Sequence, residues 1–405
     1  MKPALKIGSL ILAVAMVFTA IFASGCSLGS QWSYKTSEKE LPIGVYIYAL
    51  RNAYNAAETN AKKLEDYDST KDSWLDMEIE TEDGEKAVAR EWILKEAEET
   101  CLKYLAVEKD LADKGATPDS ASIENARDQA KNYWEVGPYA SYGYIQPMKD
   151  EYEKYGVSYD SYEYCTADYS VNYSTLFAAL YAEGGTQAVP DSELTKYVED
   201  NYADYSYFTV ALYESQQQEG SDQSVNVALS DDKKKEISDQ LNGYVTAIND
   251  GKAYDDVISE YMTANSLTES PSKDNIEFKD EFSAGDEVKN AYDKLENGKA
   301  AVVTVGEGDS ATMYLVYKKD IETDSAKYVS ENRAAVLNKA KTDDFDAYLK
   351  GIIEKLDYEK SSDVDKYDPK MFFVPVEPTT AAEESSDDSS EEDGAADDAE
   401  SSAEE

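Results

Sequence analysis

Side chains able to do chemistry are unevenly supplied in this sequence. Asp and Glu together number 84, tyrosine 33 and cysteine three, while histidine is absent. Without histidine there is no Ser-His-Asp or Cys-His nucleophile, no imidazole general base and no imidazole metal ligand. No catalytic residue, metal site or cofactor is therefore assigned. Pairs such as Asp255-Asp256 and Asp343-Asp344 are expected by chance in so acidic a chain and read as solvated helix positions. Asp387 to Asp393 lacks the ligand spacing and closing glutamate of an EF-hand. Gly306-Glu307-Gly308 reads as a hairpin turn, because no phosphate-loop lysine follows it. A lysine-activated serine is chemically allowed, but no serine is singled out.

Cys26 has the most specific surroundings of the three cysteines. Lys2 and Lys6 precede an apolar run from Ile7 to Ala23, and Ala23-Ser24-Gly25-Cys26 follows with small residues before the thiol. This resembles the bacterial lipoprotein signal, in which cleavage before the cysteine leaves it lipid-modified, although Ala23 stands where leucine is usual. An uncleaved anchor is the alternative, since the run approaches the roughly 17–25 residues of a membrane span. Either reading places the rest of the chain on the extracytoplasmic face of a cell membrane, as in a Gram-positive-type bacterium. Cys101 and Cys165 could pair in that compartment, but read more simply as small core residues.

The charge balance narrows the partners. Against those acids stand 39 Lys and Arg, for a net charge of −45. With only four arginines and no long basic cluster, the chain repels phosphate backbones, and no nucleic-acid partner is expected. Twelve of the acids fall between Ala381 and Glu405, which holds no basic residue and nothing apolar larger than alanine. Such a segment cannot offset its ordering entropy, and a disordered tail is expected there. The rest of the chain keeps −33.

Three regions lie between these ends. From Leu41 to Gly185 the pattern is helical. Ile43, Tyr46, Leu50, Ala53 and Tyr54 share a face after Pro42, and Ala87–Lys114 carries Trp92, Ile93, Ala97, Cys101, Tyr104 and Leu105 on one side before Gly115. Pro118-Asp119-Ser120 starts a helix to about Trp134, and 147–155 and 161–182 give two more. From Val189 to Thr323 the character changes. A helix opens at Pro190, Tyr207–Tyr213 reads as a strand, and a polar loop runs through Gln216–Gln218. Helices follow over 231–250 (Ile237, Leu241, Val245, Ile248), 254–262 and 286–295, then strands 301–305 and 313–317. The third region, from Ser325 to Leu356, is one long helix with Val329, Val336, Ala340, Ala347, Ile352, Ile353 and Leu356 at its apolar positions. It cannot bury that stripe alone and is expected to pack on the first region.

This order resembles the extracytoplasmic foldases related to parvulin-type peptidyl-prolyl isomerases. The residues that carry the resemblance are Ile248-Asn249-Asp250-Gly251-Lys252-Ala253-Tyr254 with Val257–Tyr261, then Leu295-Glu296-Asn297-Gly298 before Val302-Val303, and the closing Tyr314-Leu315-Val316-Tyr317-Lys318. The resemblance implies an α+β protein, a helical chaperone-like domain formed by both chain ends with an inserted parvulin-like α/β domain. It divides the chain into a signal peptide (1–25), an N-terminal helical domain (26–188), the parvulin-like domain (189–324), a C-terminal helix packing on the helical domain (325–370) and an acidic tail (371–405). Active parvulins face two histidines across the cleft; here those positions fall on Tyr314 and near Phe208 or Thr209. The aromatic of the third helix, Tyr292, is one residue out of register. The implied peptide-binding cleft comprises Phe208, Thr209, Tyr254, Val288, Tyr292 and Tyr314.

Prolyl rotation has a barrier of roughly 18–20 kcal/mol and needs no covalent chemistry, so lost histidines weaken isomerase activity without forbidding it. The implied function is a membrane-anchored extracytoplasmic chaperone or foldase with weak or no catalysis. Its partners would be unfolded or nascent secreted polypeptides, with the membrane reached through the N-terminal lipid. Tyr46, Tyr54, Tyr139, Tyr142 and Tyr144 are candidate amphipathic contacts for such chains. The alternatives are a solute-binding lipoprotein of a transporter, which would need two lobes of alternating strand and helix, and a structural surface lipoprotein.

Overall fold

The computed structural model describes residues 31–81, 84–217 and 224–376. The leader with Cys26 and the acidic tail from Ala381 lie outside the described residues. The architecture is mixed, with helices gathered in one body and the largest sheet in a segment between them.

The helical body begins with a small antiparallel sheet. Its central strand, Trp32–Lys35, pairs on one side with Glu40–Pro42 and on the other with Glu359–Lys360 from the far end of the chain. Pro42 then leads into helix Ile43–Ala61, where Val45, Tyr46, Ala49, Leu50, Ala53, Tyr54 and Ala57 recur at three- and four-residue spacing and are all buried. Gly44 in its first turn is required by close approach: a Cβ there would sit 2.5 Å from Ser161 Oγ. Helix Ala89–Lys114 packs along it and ends at Gly115 in the left-handed conformation (φ +63°). Phe372, near the end of the described chain, meets Tyr54 and Tyr155 edge-on at 5.6 and 4.8 Å and closes this core.

Helix Ser120–Glu135 is capped by Asp119, whose carboxylate accepts from Ser122 N at 2.9 Å. Short turns over Met148–Tyr152 and Tyr159–Glu163 lead through a widened π turn, Tyr164–Asp168, into helix Tyr169–Tyr181. Cys101 and Cys165 are buried free thiols in this region. Two short strands escaped the helical reading, Glu78–Glu80 and Lys86–Val88, which form a hairpin.

The long C-terminal helix, Ile321–Ile353, packs on helices Ala89–Lys114, Tyr169–Tyr181 and Asp191–Asn201. Together they bury Val107, Leu111, Phe177, Leu194, Val198 and Phe345 in a second core. The Asp191–Asn201 helix thus shares its core with the body, although the sequence groups it with the segment after Val189. The long helix is also not one straight element. Asn332 leaves helical geometry (φ −125°, ψ 23°), and its amide donates to Tyr328 O at 3.1 Å. Val329 and Val336 are buried on either side of the break; farther along, Phe345 and Leu349 are buried while Ala347, placed on the stripe by the sequence, is exposed.

Between these helices lies a four-stranded antiparallel sheet in the order Lys273–Phe278, Tyr202–Ala211, Thr312–Lys318, Ala300–Val305. Its first strand starts five residues before Tyr207, and Lys273–Phe278 is an edge strand the sequence concealed. Gln216 and Gln217, expected in a polar loop, instead end the strand Tyr213–Gln217, which pairs with Ser224–Ala228 in a second hairpin exposed on nearly all its residues, while Gln218 lies outside the described residues. Helices Asp231–Asn249 and Tyr254–Ala264 cover one sheet face, and the short helix Asp286–Tyr292 lies on the other.

Candidate functional site

Alternation along the two central strands decides which residues share a surface. In the antiparallel register Tyr314 lies opposite Thr209 on one side and Val303 on the other, and Val316 opposite Tyr207. Tyr205, Tyr207 and Thr209 therefore project to the same face as Tyr314 and Val316, while Phe208 and Val210 project with Met313 and Leu315 to the opposite face.

The sheet consequently divides the six cleft residues read from the sequence. Phe208 packs on Tyr261 with ring centroids 4.6 Å apart, and Tyr254 stacks on Tyr317 at 4.8 Å while its hydroxyl bonds Ser272 at 2.9 Å. Both are buried beneath the two-helix layer and line no open surface. Thr209, Val288, Tyr292 and Tyr314 share the other face. On the strand, a single residue separates Phe208 from Thr209, and a period of two turns that step into opposite sides of the sheet.

The second face carries a row of aromatic rings. Phe282 stacks on Tyr205 at 4.5 Å, Tyr205 on Tyr207 at 5.7 Å and Tyr207 on Tyr314 at 5.7 Å. The row passes from inside to outside. Tyr205 is fully buried under helix Asp286–Tyr292, Tyr207 and Tyr314 are half-buried beyond its end, and Thr209 beside them is exposed. Val303 and Val305 flank this ledge, and Lys273 Nζ stands 5.9 Å from the Tyr207 ring centroid. The inner end is fixed by hydrogen bonds: Tyr205 Oη donates to Glu277 Oε1 at 2.5 Å, Asn275 Nδ2 donates to Tyr205 Oη at 3.0 Å, and Ser283 N donates to Glu277 Oε1 at 2.9 Å.

Burial raises the Tyr205 phenol, and its hydrogen bond to Glu277 adds to that; burial and then Glu277 also raise Tyr207. Burial pushes Tyr292 up to about 12. These phenols stay protonated at neutral pH; Tyr205 donates to Glu277, and of the three only Tyr207 is half-buried rather than buried. Such a ledge can take proline rings, aliphatic or aromatic side chains, with adjacent donors for peptide carbonyls. Tyr205, Tyr207 and Phe282 were missed as site residues; the Tyr-x-Tyr alternation at 205 and 207 was the available signal.

Asp204 lies where the sheet joins the body. Its side chain is fully buried, and neither carboxylate oxygen makes a hydrogen bond. Lys319 Nζ stands 3.4 Å from Oδ1, an ion pair without hydrogen-bond alignment. Burial, opposed by Lys319 and reinforced by Asp324, pushes this carboxyl up to about 6.

The tyrosines read as client contacts also separate. Tyr46 and Tyr54 are core residues, since their helix face is the one buried against the body. Tyr139, Tyr142 and Tyr144 stand exposed on one loop. A polar cavity of about 350 Å³ lies elsewhere, lined in part by Tyr181, Val189, Glu193 and Lys341. Lys341 is paired there with Glu193 and Asp344, both at 3.1 Å, and none of the six cleft residues reaches it. Among the described residues no helix is long and apolar enough to cross a membrane.

No family model matches the chain, and no curated protein matches it. Among solved structures, the foldase protein PrsA from Streptococcus pneumoniae is 12% identical, with a TM-score of 0.35, over 74% of this chain and 100% of that one. The foldase protein PrsA from Lactococcus lactis is 13% identical, with a TM-score of 0.33, over 82% of this chain and 96% of that one. At this level the likeness to both is loose.

Proposed function

We propose that this protein is a membrane-anchored extracytoplasmic chaperone that holds unfolded segments of secreted polypeptides, with the tyrosine ledge as its docking surface and little or no prolyl isomerisation. The observation that carries this reading is the half-exposed Tyr207–Tyr314 stack, with Thr209 directly across from Tyr314. The parvulin-like order of elements in the sequence and the lipoprotein-like leader ending at Cys26 support it. The rings can retain a segment by apolar contact, and the positions of the two cleft histidines hold Tyr314 and Thr209 or Phe208 instead.

The test uses the full chain with a reduced, unfolded secreted protein as client. Wild type is expected to suppress client aggregation, and the double substitution Tyr207→Ala with Tyr314→Ala to lose most of that suppression. A proline-limited refolding reaction should run at the buffer rate. Equal suppression by wild type and double variant would remove the ledge as the docking surface, and no suppression by either would end the chaperone reading.

A further inference from the structure

In a chain of which 30% is charged, the stretch from Val136 to Met148 carries no charged side chain. It follows helix Ser120–Glu135 and projects as a loop whose tip displays Tyr142, Tyr144 and Ile145, with 77%, 72% and 73% of their surfaces exposed, beside Tyr139 at 58%. Most other large apolar side chains of the body are covered. The tip is held in shape by its own backbone. Gln146 N donates to Val136 O at 3.0 Å across the neck, and Tyr142 N and Tyr144 N both donate to Tyr139 O, at 3.0 and 3.3 Å. Gly137 has φ +103°, and a Cβ there would sit 2.2 Å from Gln146 O, so only glycine lets the two sides of the neck touch. The rings are therefore presented on a preformed support rather than on a loose segment.

The position of the loop indicates what covers it. The described chain starts at Gln31, whose carbonyl accepts from Ile43 N at 2.8 Å. Gly44 in the next turn lies against Ser161, and the neighbouring Tyr162 ring is 5.0 Å from Trp134, just before the neck of the loop. Three contacts thus link the neck of the loop to the exit of the leader. Gln31 is five steps along the chain from Cys26, a reach of at most about 18 Å at 3.3–3.6 Å per residue. A lipid on Cys26 holds that end close to the bilayer.

We infer that the 136–148 loop is a membrane-contact element that seats its tyrosines and Ile145 in the interfacial zone of the phospholipid bilayer. The inference rests on the lipid-anchor part of the proposed function. Tyrosine suits that zone because its ring is apolar and its hydroxyl remains wet. The chemistry also explains the missing charges. A body carrying −33 outside its tail is repelled by anionic lipid, and an uncharged tip is the part that can approach. Seating the loop would give the body a second contact besides the lipid and fix its tilt, leaving the tyrosine ledge at a set orientation to the membrane.

The experiment places a nitroxide at the tip, through Ser141→Cys, in the full chain carried on phosphatidylcholine vesicles. Cys101 and Cys165 are buried and a lipidated Cys26 has no free thiol, so in the vesicle-bound chain the label goes to the new cysteine. Collision with oxygen, which prefers lipid, is compared with collision with a water-soluble nickel chelate, using Asn226→Cys on the exposed hairpin as an aqueous reference. The expected result is an oxygen-favoured label at 141 and a nickel-favoured one at 226, with 141 turning nickel-favoured when Tyr142, Tyr144 and Ile145 are replaced by serine. A nickel-favoured 141 in a chain that floats with the vesicles overturns the inference while leaving the anchor intact. So does a label that stays aqueous on vesicles but is immobilised by an unfolded polypeptide, which would assign the loop to clients. A chain that does not float overturns the anchor and the loop contact together.

Discussion

The two faces of the four-stranded sheet are built from neighbouring residues of the same strands. On one face Phe208, Met313 and Leu315 disappear beneath two helices that bring Leu241, Ile248, Val257 and Ile258. On the other a single short helix covers Tyr205 and Val316 and stops, leaving Tyr207, Tyr314 and Thr209 beyond its end. The covered face is mainly aliphatic, with Phe208 among groups that gain most from leaving water, and it also takes in Tyr254, Tyr261 and Tyr317. The open face uses tyrosines, which tolerate half-burial because the hydroxyl keeps its hydrogen bonds to solvent. The lesson is that the two faces differ in what covers the sheet more than in residue type, since tyrosines stand on both.

Four substitutions would break or sharpen that contrast. The largest effect belongs to the covered face: Phe208→Ala should cost about 3–5 kcal/mol of stability, read by urea unfolding, because the two-helix layer cannot collapse onto the vacated ring. Next is Asp204→Asn at the end of the same face. An ordinary aspartate has a value of 3.8, and this one is raised to about 6. The folded protein therefore holds this proton more tightly than the unfolded chain, and the ionised group opposes folding above pH 6. At about 1.4 kcal/mol per unit, the asparagine variant should be more stable than wild type at pH 7.5 by up to about 3 kcal/mol. The gap should close as the pH falls from 6 through 3.8, so a variant without this pH-dependent gain would show that Lys319 already compensates the charge. On the open face, Tyr314→Ala should cost only about 1 kcal/mol yet weaken client retention; a loss of stability comparable to that of Phe208→Ala would mean the face is structural. Smallest is Glu214→Ala, which removes an exposed pair with Lys233 at 2.9 Å and should shift stability by less than about 0.5 kcal/mol in thermal melts.

The long helices were legible because their signals are local and redundant. Pro42, Gly115 and the Asp119 cap mark ends, and apolar spacing fills the interiors. What remained hidden depends on tertiary context. Lys273–Phe278 reads as polar because it is an edge strand, where charged residues guard a backbone open to solvent. The Glu359–Lys360 strand is too short for any periodicity and exists only because Trp32–Lys35 is there to pair with. In the site, the strand containing Phe208 and Thr209 was identified, but its face was not. Register is set by partners across the sheet, and only the pairing of Tyr314 with Thr209 separates the ledge from the core beside it.

The way the chain's two ends meet sets an order in time. Every strand of the four-stranded sheet falls between Tyr202 and Lys318, whereas the first core awaits Glu359–Lys360, Phe372 and the ion pair between Arg90 and Asp368. A chain made from its N-terminus can complete the sheet while Tyr54 and Trp74 still lack their last neighbours. Until the final fifty residues arrive, this protein presents the same kind of uncovered aromatic surface as the unfolded chains it is proposed to hold.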